Sequence, residues 1–238
     1  MKIDMCEHFV SIQGEGPSVG TPAIFLRFNR CNLRCKWCDT PYALEKTDNL
    51  TETEEIKNIL LKYKEDYPNV KLVVITGGEP LLYQSEILEL LPFINEHFDL
   101  CEIETNGTIL PEIKLLDRAS VNVSIKLPSS GVEEKLRIKD NVISPLSSIY
   151  MVYPLVNFKF VISNKEDIEE MEKLIKKYFI PKENIYIMPE GTTVEDINSD
   201  IPFPGESRAK KLVDYCIKNG YTFCDRLHIR IWGDKRGV

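Results

Sequence analysis

Three cysteines carry the clearest chemical signal in this chain. Cys31-Asn-Leu-Arg-Cys35-Lys-Trp-Cys38 is a C-x3-C-x2-C array. Thiolates are soft ligands that suit zinc or iron–sulfur clusters, and three this close together can wrap a short loop around one metal group. A structural zinc site wants a fourth ligand nearby. Asp39 is adjacent but awkwardly placed, the loop holds no histidine, and His8 and His97 are distant in sequence. A four-iron cluster held by only three thiolates leaves one iron open to a substrate or cofactor, much as a catalytic zinc keeps an open position.

The elements that must position this loop read as alternating strands and helices. Apolar, β-branched runs at 71–76, 100–105, 121–126, 156–162 and 184–188 predict strands, and continuous runs of this kind suit a parallel sheet covered on both faces. Helical periodicity falls at 52–65, 85–97, 165–178 and 206–218, with Thr51 and Glu54 spaced for a capping box. Strand–helix alternation implies an α/β fold, open or partly closed into a barrel. In such folds active sites sit beyond the carboxyl ends of the strands. Those ends carry Thr76-Gly77-Gly78-Glu79-Pro80, Glu104-Thr105-Asn106 and Ser124-Ile125-Lys126. Residues 128–154 break the rhythm and read as an insertion or lid. Residues 221–238 read as a final alternating strand, carrying His228, followed by a tail.

Composition narrows the class. The chain has 238 residues, 43% hydrophobic and 28% charged, with a net charge of -7. That suits one globular domain over 1–238 and argues against a broad nucleic-acid face. No apolar run reaches the ~20 residues of a membrane helix, and no signal peptide is evident, so a cytoplasmic location is expected. Of seven cysteines, Cys6, Cys101, Cys216 and Cys224 lie outside the array and read as small buried apolar residues.

The cysteine array, with Trp37 before its last cysteine, and the Gly77-Gly78-Glu79-Pro80 strand end resemble the radical S-adenosylmethionine (radical SAM) superfamily. The resemblance implies a partial or modified (β/α) barrel with a cluster loop at 31–40. It also implies a 4Fe-4S cluster on Cys31, Cys35 and Cys38, whose open iron chelates S-adenosylmethionine. One-electron reduction would then release a 5′-deoxyadenosyl radical. Trp37, Gly77, Gly78 and Glu79 would lie beside that cofactor, with Glu79 accepting from its ammonium group.

Ser11-Ile12-Gln13-Gly14-Glu15-Gly16, the run Thr21 to Phe28, and Trp37-Cys38-Asp39-Thr40 resemble the 7-carboxy-7-deazaguanine synthase family. Looser matches are Ser124-Ile125-Lys126, where Ile125 stands in place of the family's proline, Met188-Pro189-Glu190-Gly191, and His228. The resemblance implies ring contraction of 6-carboxy-5,6,7,8-tetrahydropterin to 7-carboxy-7-deazaguanine with loss of ammonia. This is a step of queuosine- or archaeosine-type 7-deazapurine biosynthesis, in which S-adenosylmethionine acts catalytically. It assigns magnesium to Thr40. The pterin would meet Ile12, Gln13, Gly14, Glu15, Arg27, Thr76 and His228, with Gln13 and Glu15 on its amide and amino edge and Arg27 on its carboxylate. Ser124, Ile125, Lys126 and Met188 to Gly191 would contact S-adenosylmethionine. A homodimer and an electron donor such as flavodoxin or ferredoxin are also implied. Two other readings stay open: a radical SAM activase that makes a glycyl radical on a partner protein, and a non-enzymatic metal-binding redox module.

Overall fold

In the computed structural model of the chain, residues 1–149, 155–199 and 207–238 are described. The elements are β1 (Lys2–Ile12), β2 (Pro22–Phe28), β3 (Leu50–Glu52), α1 (Thr53–Asp66), β4 (Leu72–Gly77), α2 (Gln84–His97), β5 (Leu100–Thr105), α3 (Ile113–Leu116) and β6 (Ser120–Ser124). They continue with α4 (Glu134–Arg137), α5 (Asp140–Ile149), β7 (Val156–Ile162), α6 (Lys165–Tyr178), β8 (Ile185–Pro189), α7 (Val194–Asn198), α8 (Arg208–Asn219), β9 (Thr222–Phe223) and α9 (Leu227–Trp232).

The strands form one nine-stranded sheet in the order β3-β1-β2-β4-β5-β6-β7-β8-β9. β1 runs antiparallel to β2 and to β3, while every neighbouring pair from β2 to β9 is parallel. The edges do not meet, so the expected partial barrel is an open, curled sheet. β1 enters from the opposite direction to β2, with Ile12 paired to Pro22 at the start of β2. The loop that follows β1 therefore leaves the sheet at the end opposite the cysteine loop, which follows β2.

The period-2 alternation of strand side chains sorts two faces. Ile24, Leu26, Phe28, Ile75, Val123, Phe158 and Phe160 share one buried core with Ile56 and Leu60 of α1, Ile87 of α2, Met171 of α6 and Leu212 of α8. Burying each such side chain contributes about 1.5–3 kcal/mol, so this face holds the helices on the sheet. The inner face is different. Near β2 and β4 it is apolar, with Phe9 packed on Ala23, Phe25, Leu72 and Val74. Further along it carries buried Glu102, Asn122, Asn157 and Lys159. The runs 100–105, 121–126 and 156–162 are thus covered by helices on one face only; of their inward polar residues, Glu104, Ser124 and Lys159 line a cavity, while Glu102, Asn122 and Asn157 hydrogen-bond in a row beside it.

Three expectations need correction. The Thr51–Glu54 capping box does not form, because residues 50–52 pair with β1 and α1 starts at Thr53 without a side-chain cap. Residues 221–238 do not make an alternating strand: only Thr222–Phe223 pair in the sheet, and His228 sits on α9. Six alternating residues are too few for apolar period alone to separate strand from helix. Finally, residues 128–149, expected as part of an insertion or lid, are packed into the fold. They make short helices whose Val142, Ile143 and Leu146 join the core. Residues 150–154, the rest of that segment, lie outside the described residues.

The segment just after β6 is fixed from two sides. Asp167, in a capping box with Asn164 at the start of α6, also accepts from the Ser129 amide at 3.0 Å. Ser129 and Ser130 in turn meet the cysteine loop. No helix among the described residues is long and apolar enough to cross a membrane.

Candidate active site

A cavity of about 250 Å³ opens inside the curl of the sheet, and Cys31, Cys35 and Cys38 all line it. None of the three is in a disulfide. Burial pushes the Cys31 and Cys35 thiols up, opposed at Cys35 mainly by the nearby Lys126 ammonium. The loop is held through both backbone and side chains. The Cys31 amide donates to the Leu44 carbonyl at 3.0 Å and the Lys36 amide to that of Ser130 at 2.8 Å. Trp37 Nε1 donates to Ser129 Oγ at 3.2 Å, and Lys126 Nζ lies 5.5 Å from the Trp37 ring centroid while donating to Ser124 Oγ at 2.8 Å. Three free soft donors on one short, pinned loop beside a cation fit an anionic thiolate-held cluster.

The Gly77-Gly78-Glu79 turn packs directly on the chain leading into this loop. The Gly78 amide donates to the Phe28 carbonyl at 3.0 Å and the Glu79 amide to the Arg30 carbonyl at 2.8 Å. A Cβ on Gly77 would lie 2.1 Å from Phe28 O, and one on Gly78 2.2 Å from Arg30 O. Glycine is required here for the chain's own backbone-to-backbone approach. Glu79 is fully buried. Its carboxylate accepts from the Leu81 amide (3.0 Å), Thr105 Oγ1 (2.8 Å) and the Asn106 amide (2.7 Å). Burial pushes its pKa up against these donors. It joins the ends of β4 and β5 from behind the cavity wall.

The opposite wall is a network of charges. Arg226 is buried and donates through Nε to Glu15 Oε1 at 2.8 Å, through Nη1 to the Gly191 carbonyl, and through Nη2 to Asp39 Oδ2. Lys159 Nζ bridges Glu15 Oε2 (2.8 Å) and Glu104 Oε2 (2.7 Å). Gln13 Nε2 donates to Glu102 Oε2 (3.1 Å) and Glu104 Oε1 (3.2 Å), and Asn122 Nδ2 reaches the same two oxygens. Burial penalises each charge, but at Glu15 it is outweighed by Lys159 and Arg226, which hold the carboxyl well below its usual range. Lys159 is correspondingly raised, its desolvation outweighed by Glu104 and Glu15. Glu102 goes the other way, raised first by burial and then by Glu104.

His228 closes this wall. A Cβ on Gly14 would fall 2.0 Å from His228 Nδ1, so the ring rests on the glycine backbone, and the Leu227 amide donates to the Gly14 carbonyl at 2.9 Å. Burial lowers the imidazole pKa. One ligand atom each from Glu15, Asp39 and His228 lies within 4.8 Å of the others. Arg226 occupies both carboxylates, so the trio is an ion-pair cluster as it stands.

The Radical SAM superfamily model matches residues 25–201. A 7-carboxy-7-deazaguanine synthase of Pyrobaculum aerophilum is 34% identical, covering 99% of this chain and 97% of its own length. One from Clostridium acetobutylicum is also 34% identical, with both chains covered in full. The chain belongs to the 7-carboxy-7-deazaguanine synthase family of the radical SAM superfamily. The solved structure of QueE from Escherichia coli superposes with a TM-score of 0.72 at 22% identity, covering 96% of this chain and 95% of the other, which supports the fold.

For a chain of this family, the anticipated site residues divide into two groups. Ile12, Gln13, Gly14, Glu15, Arg27, Thr40, Thr76, Gly77, Gly78, Trp37, Ser124, Lys126 and His228 line the cavity with the three cysteines. Ile125 is buried in the helix-facing core. Met188 packs with Val161 and Cys224, Glu190 pairs with Arg208, and Gly191 offers its carbonyl to Arg226. Those residues, like Pro189 and Glu79, support the wall from behind. Sequence reasoning missed Lys159 and Arg226 and gave Asp39 no part. The polar residues alternating within β5, β6 and β7 were the available signal for Lys159. For Arg226 there was none, since its partners Glu15 and Asp39 are 211 and 187 residues away.

Proposed function

We propose that this chain, as one radical SAM domain, contracts the ring of 6-carboxy-5,6,7,8-tetrahydropterin to 7-carboxy-7-deazaguanine with loss of ammonia, in 7-deazapurine biosynthesis. The observation that carries the reading is the meeting, in one cavity, of three unspent thiols and an inward arginine. Cys31, Cys35 and Cys38 would hold the cluster, with S-adenosylmethionine on its open iron and along Trp37, Gly78, Ser124 and Lys126. Bound there, the pair would supply radical chemistry, the removal of a hydrogen atom from the carbon bearing the substrate carboxylate. Arg27 donates through Nε to Glu7, and among the described residues nothing takes up its terminal nitrogens. A guanidinium fork held in this way suits the substrate carboxylate.

The polar floor would read the pterin ring. Glu104 lines the cavity while Gln13, Asn122 and Lys159 fix its carboxylate, so its orientation is set before substrate arrives. Glu15 was expected to accept from the amino edge directly. With both oxygens engaged by Lys159 and Arg226, its part is to hold the floor in shape. Gln13 spends its amide nitrogen on Glu102 and Glu104, and its Oε1 accepts from the Glu15 amide at 3.3 Å, so the backbone of Ile12, Gln13 and Gly14 is what this turn would offer a ring. Thr40, next to Asp39, would bring a hard oxygen to magnesium. The same reading includes a homodimer, a flavodoxin or ferredoxin as reductant and a cytoplasmic setting.

Iron and sulfide analysis of the reconstituted protein comes first, with about four of each per chain expected for a full cluster. One bound zinc and no visible absorbance would favour a non-enzymatic module. Arg27→Leu should then lower kcat/KM for the pterin by about a hundredfold, the loss of a charge-assisted contact, with cluster content unchanged. Unaltered kcat/KM would remove the arginine from the reading.

A further inference from the structure

β1 carries a bulge. Met5 pairs with Phe28 and Glu7 with Arg27, so Cys6 is the extra residue between them. A bulge re-aims the side chains that follow it. Here it sets Glu7 directly across from Arg27, at the spacing where cross-strand pairs interact. Arg27 Nε donates to Glu7 Oε1 at 2.9 Å. The same oxygen accepts from Tyr42 Oη, in the turn after the cysteine loop, at 3.2 Å. The other oxygen accepts from Arg236 Nε at 2.6 Å. The Arg236 guanidinium also lies over the Tyr42 ring, 4.2 Å from its centroid, and Nη2 approaches Cys6 Sγ at 3.7 Å.

The carboxylate is mostly covered, at 14% exposure, while Arg236 is 53% exposed. Burial pushes Glu7 up, but Arg236 and Arg27 together hold it below its ordinary range, so it stays charged and divided among three donors. The segment 233–238 that carries Arg236 lines the cavity, and so do Arg27 and Tyr42. One carboxylate thus joins three parts of the cavity lining: Arg27, the turn after the cysteine loop and the segment 233–238.

We infer that Glu7 is a positioning residue that holds Arg27 with its terminal nitrogens toward the substrate and, through Arg236, fastens segment 233–238 over the cavity beside Tyr42. The aiming half rests on the ring-contraction reading, since it needs a carboxylate-bearing substrate. The fastening half does not. Arg27 alone swings on a flexible stem. Tied at Nε, it keeps only its outer edge for a ligand, and less freedom is lost when the ligand binds. Sharing Glu7 with Arg236 makes the same ion pair report whether the segment is in place.

The test uses the reconstituted full chain, with Glu7→Gln and Arg236→Ala compared against the unaltered protein. Amide hydrogen exchange of residues 233–238 is measured without substrate, and KM and kcat with the pterin. Arg236→Ala should speed exchange of the segment about tenfold and raise KM by more than it lowers kcat, as loss of an ion pair and its stacked ring predicts. Arg236→Lys should restore only part of both, because ammonium lacks the fork. Glu7→Gln should show the larger KM increase, because it frees Arg27 as well. Unchanged segment exchange in both variants would overturn the fastening. An unchanged KM in Glu7→Gln would overturn the aiming. If Glu7→Gln does not fold, Arg236→Ala decides the fastening and Arg27→Lys, which keeps charge but loses the Nε anchor, decides the aiming. If the unaltered protein makes no pterin product at all, the ring-contraction reading has failed, while the exchange data still judge the fastening on their own.

Discussion

On one side of the cavity, Cys31, Cys35 and Cys38 lie within eight residues of chain and form no disulfide. On the other, Glu15, Glu104, Lys159 and Arg226 come from well-separated stretches and pair with one another, and Arg226 reaches across to Asp39 of the cysteine loop. The first wall leaves its thiols out of any disulfide, with long contacts to Cys31 Sγ from the Leu33 amide (3.4 Å) and Asn106 (3.8 Å), and is held by backbone and side-chain contacts together. The second spends nearly every charge internally. A wall built to receive a cofactor keeps its ligands free, whereas a wall built to present a fixed shape to a substrate satisfies its own buried charges beforehand. Partly satisfied charges in such a place would be costly.

Replacing one group on each wall should separate these two designs. Cys35→Ala should abolish cluster loading and turnover, read by iron content and product formation, while leaving the unfolding free energy of the metal-free protein within about 1 kcal/mol, because a half-buried thiol makes few contacts. A full cluster in this variant would remove the proposed ligand. Arg226→Ala should act in the reverse sense. Stripping the partner from two carboxylates and a buried carbonyl should cost about 3–5 kcal/mol in denaturant unfolding. A loss below that of an ordinary surface substitution would mean the network does not hold the wall. Asn164→Ala, at the start of α6 and outside both walls, should cost about 1 kcal/mol through the lost cap, with cluster loading unaltered.

The smallest expected effect is a change of slope with pH. The folded pKa of His228 lies below its ordinary value of 6.5, because burial favours the neutral ring. The stability this represents is fully present above pH 6.5 and is lost as pH falls through the folded value. Unfolding free energy should therefore fall on acidification from pH 6.5, less steeply in His228→Gln. Equal slopes in the two proteins would show that the ring is not held neutral.

The same contrast explains what could be read from the amino-acid sequence. The cysteine wall was legible because its residues are contiguous, and a strand end such as Gly77-Gly78-Glu79-Pro80 announces itself by composition. Their placement was less so: Glu79 proved to brace two strand ends, and the glycines admit the backbone of Phe28 and Arg30. The charged wall was mostly illegible. Lys159 is one lysine in an apolar run, and the polar alternation it shares with β5 and β6 was the faint signal it offered. Arg226 precedes a stretch whose period suits strand and helix alike, and its role depends on where α9 docks against Gly14. Arg27 was recognised, but Glu7, which anchors it, carries no local signature beyond a bulge that only strand pairing reveals.

The most direct test of the account is an anaerobic assay of the reconstituted protein with S-adenosylmethionine, a reductant, magnesium and 6-carboxytetrahydropterin, with all products quantified by mass. Formation of 7-carboxy-7-deazaguanine well in excess of the S-adenosylmethionine consumed is the predicted result. Cleavage of S-adenosylmethionine to 5′-deoxyadenosine with no pterin-derived product would contradict it and move the substrate to another class, such as a partner polypeptide.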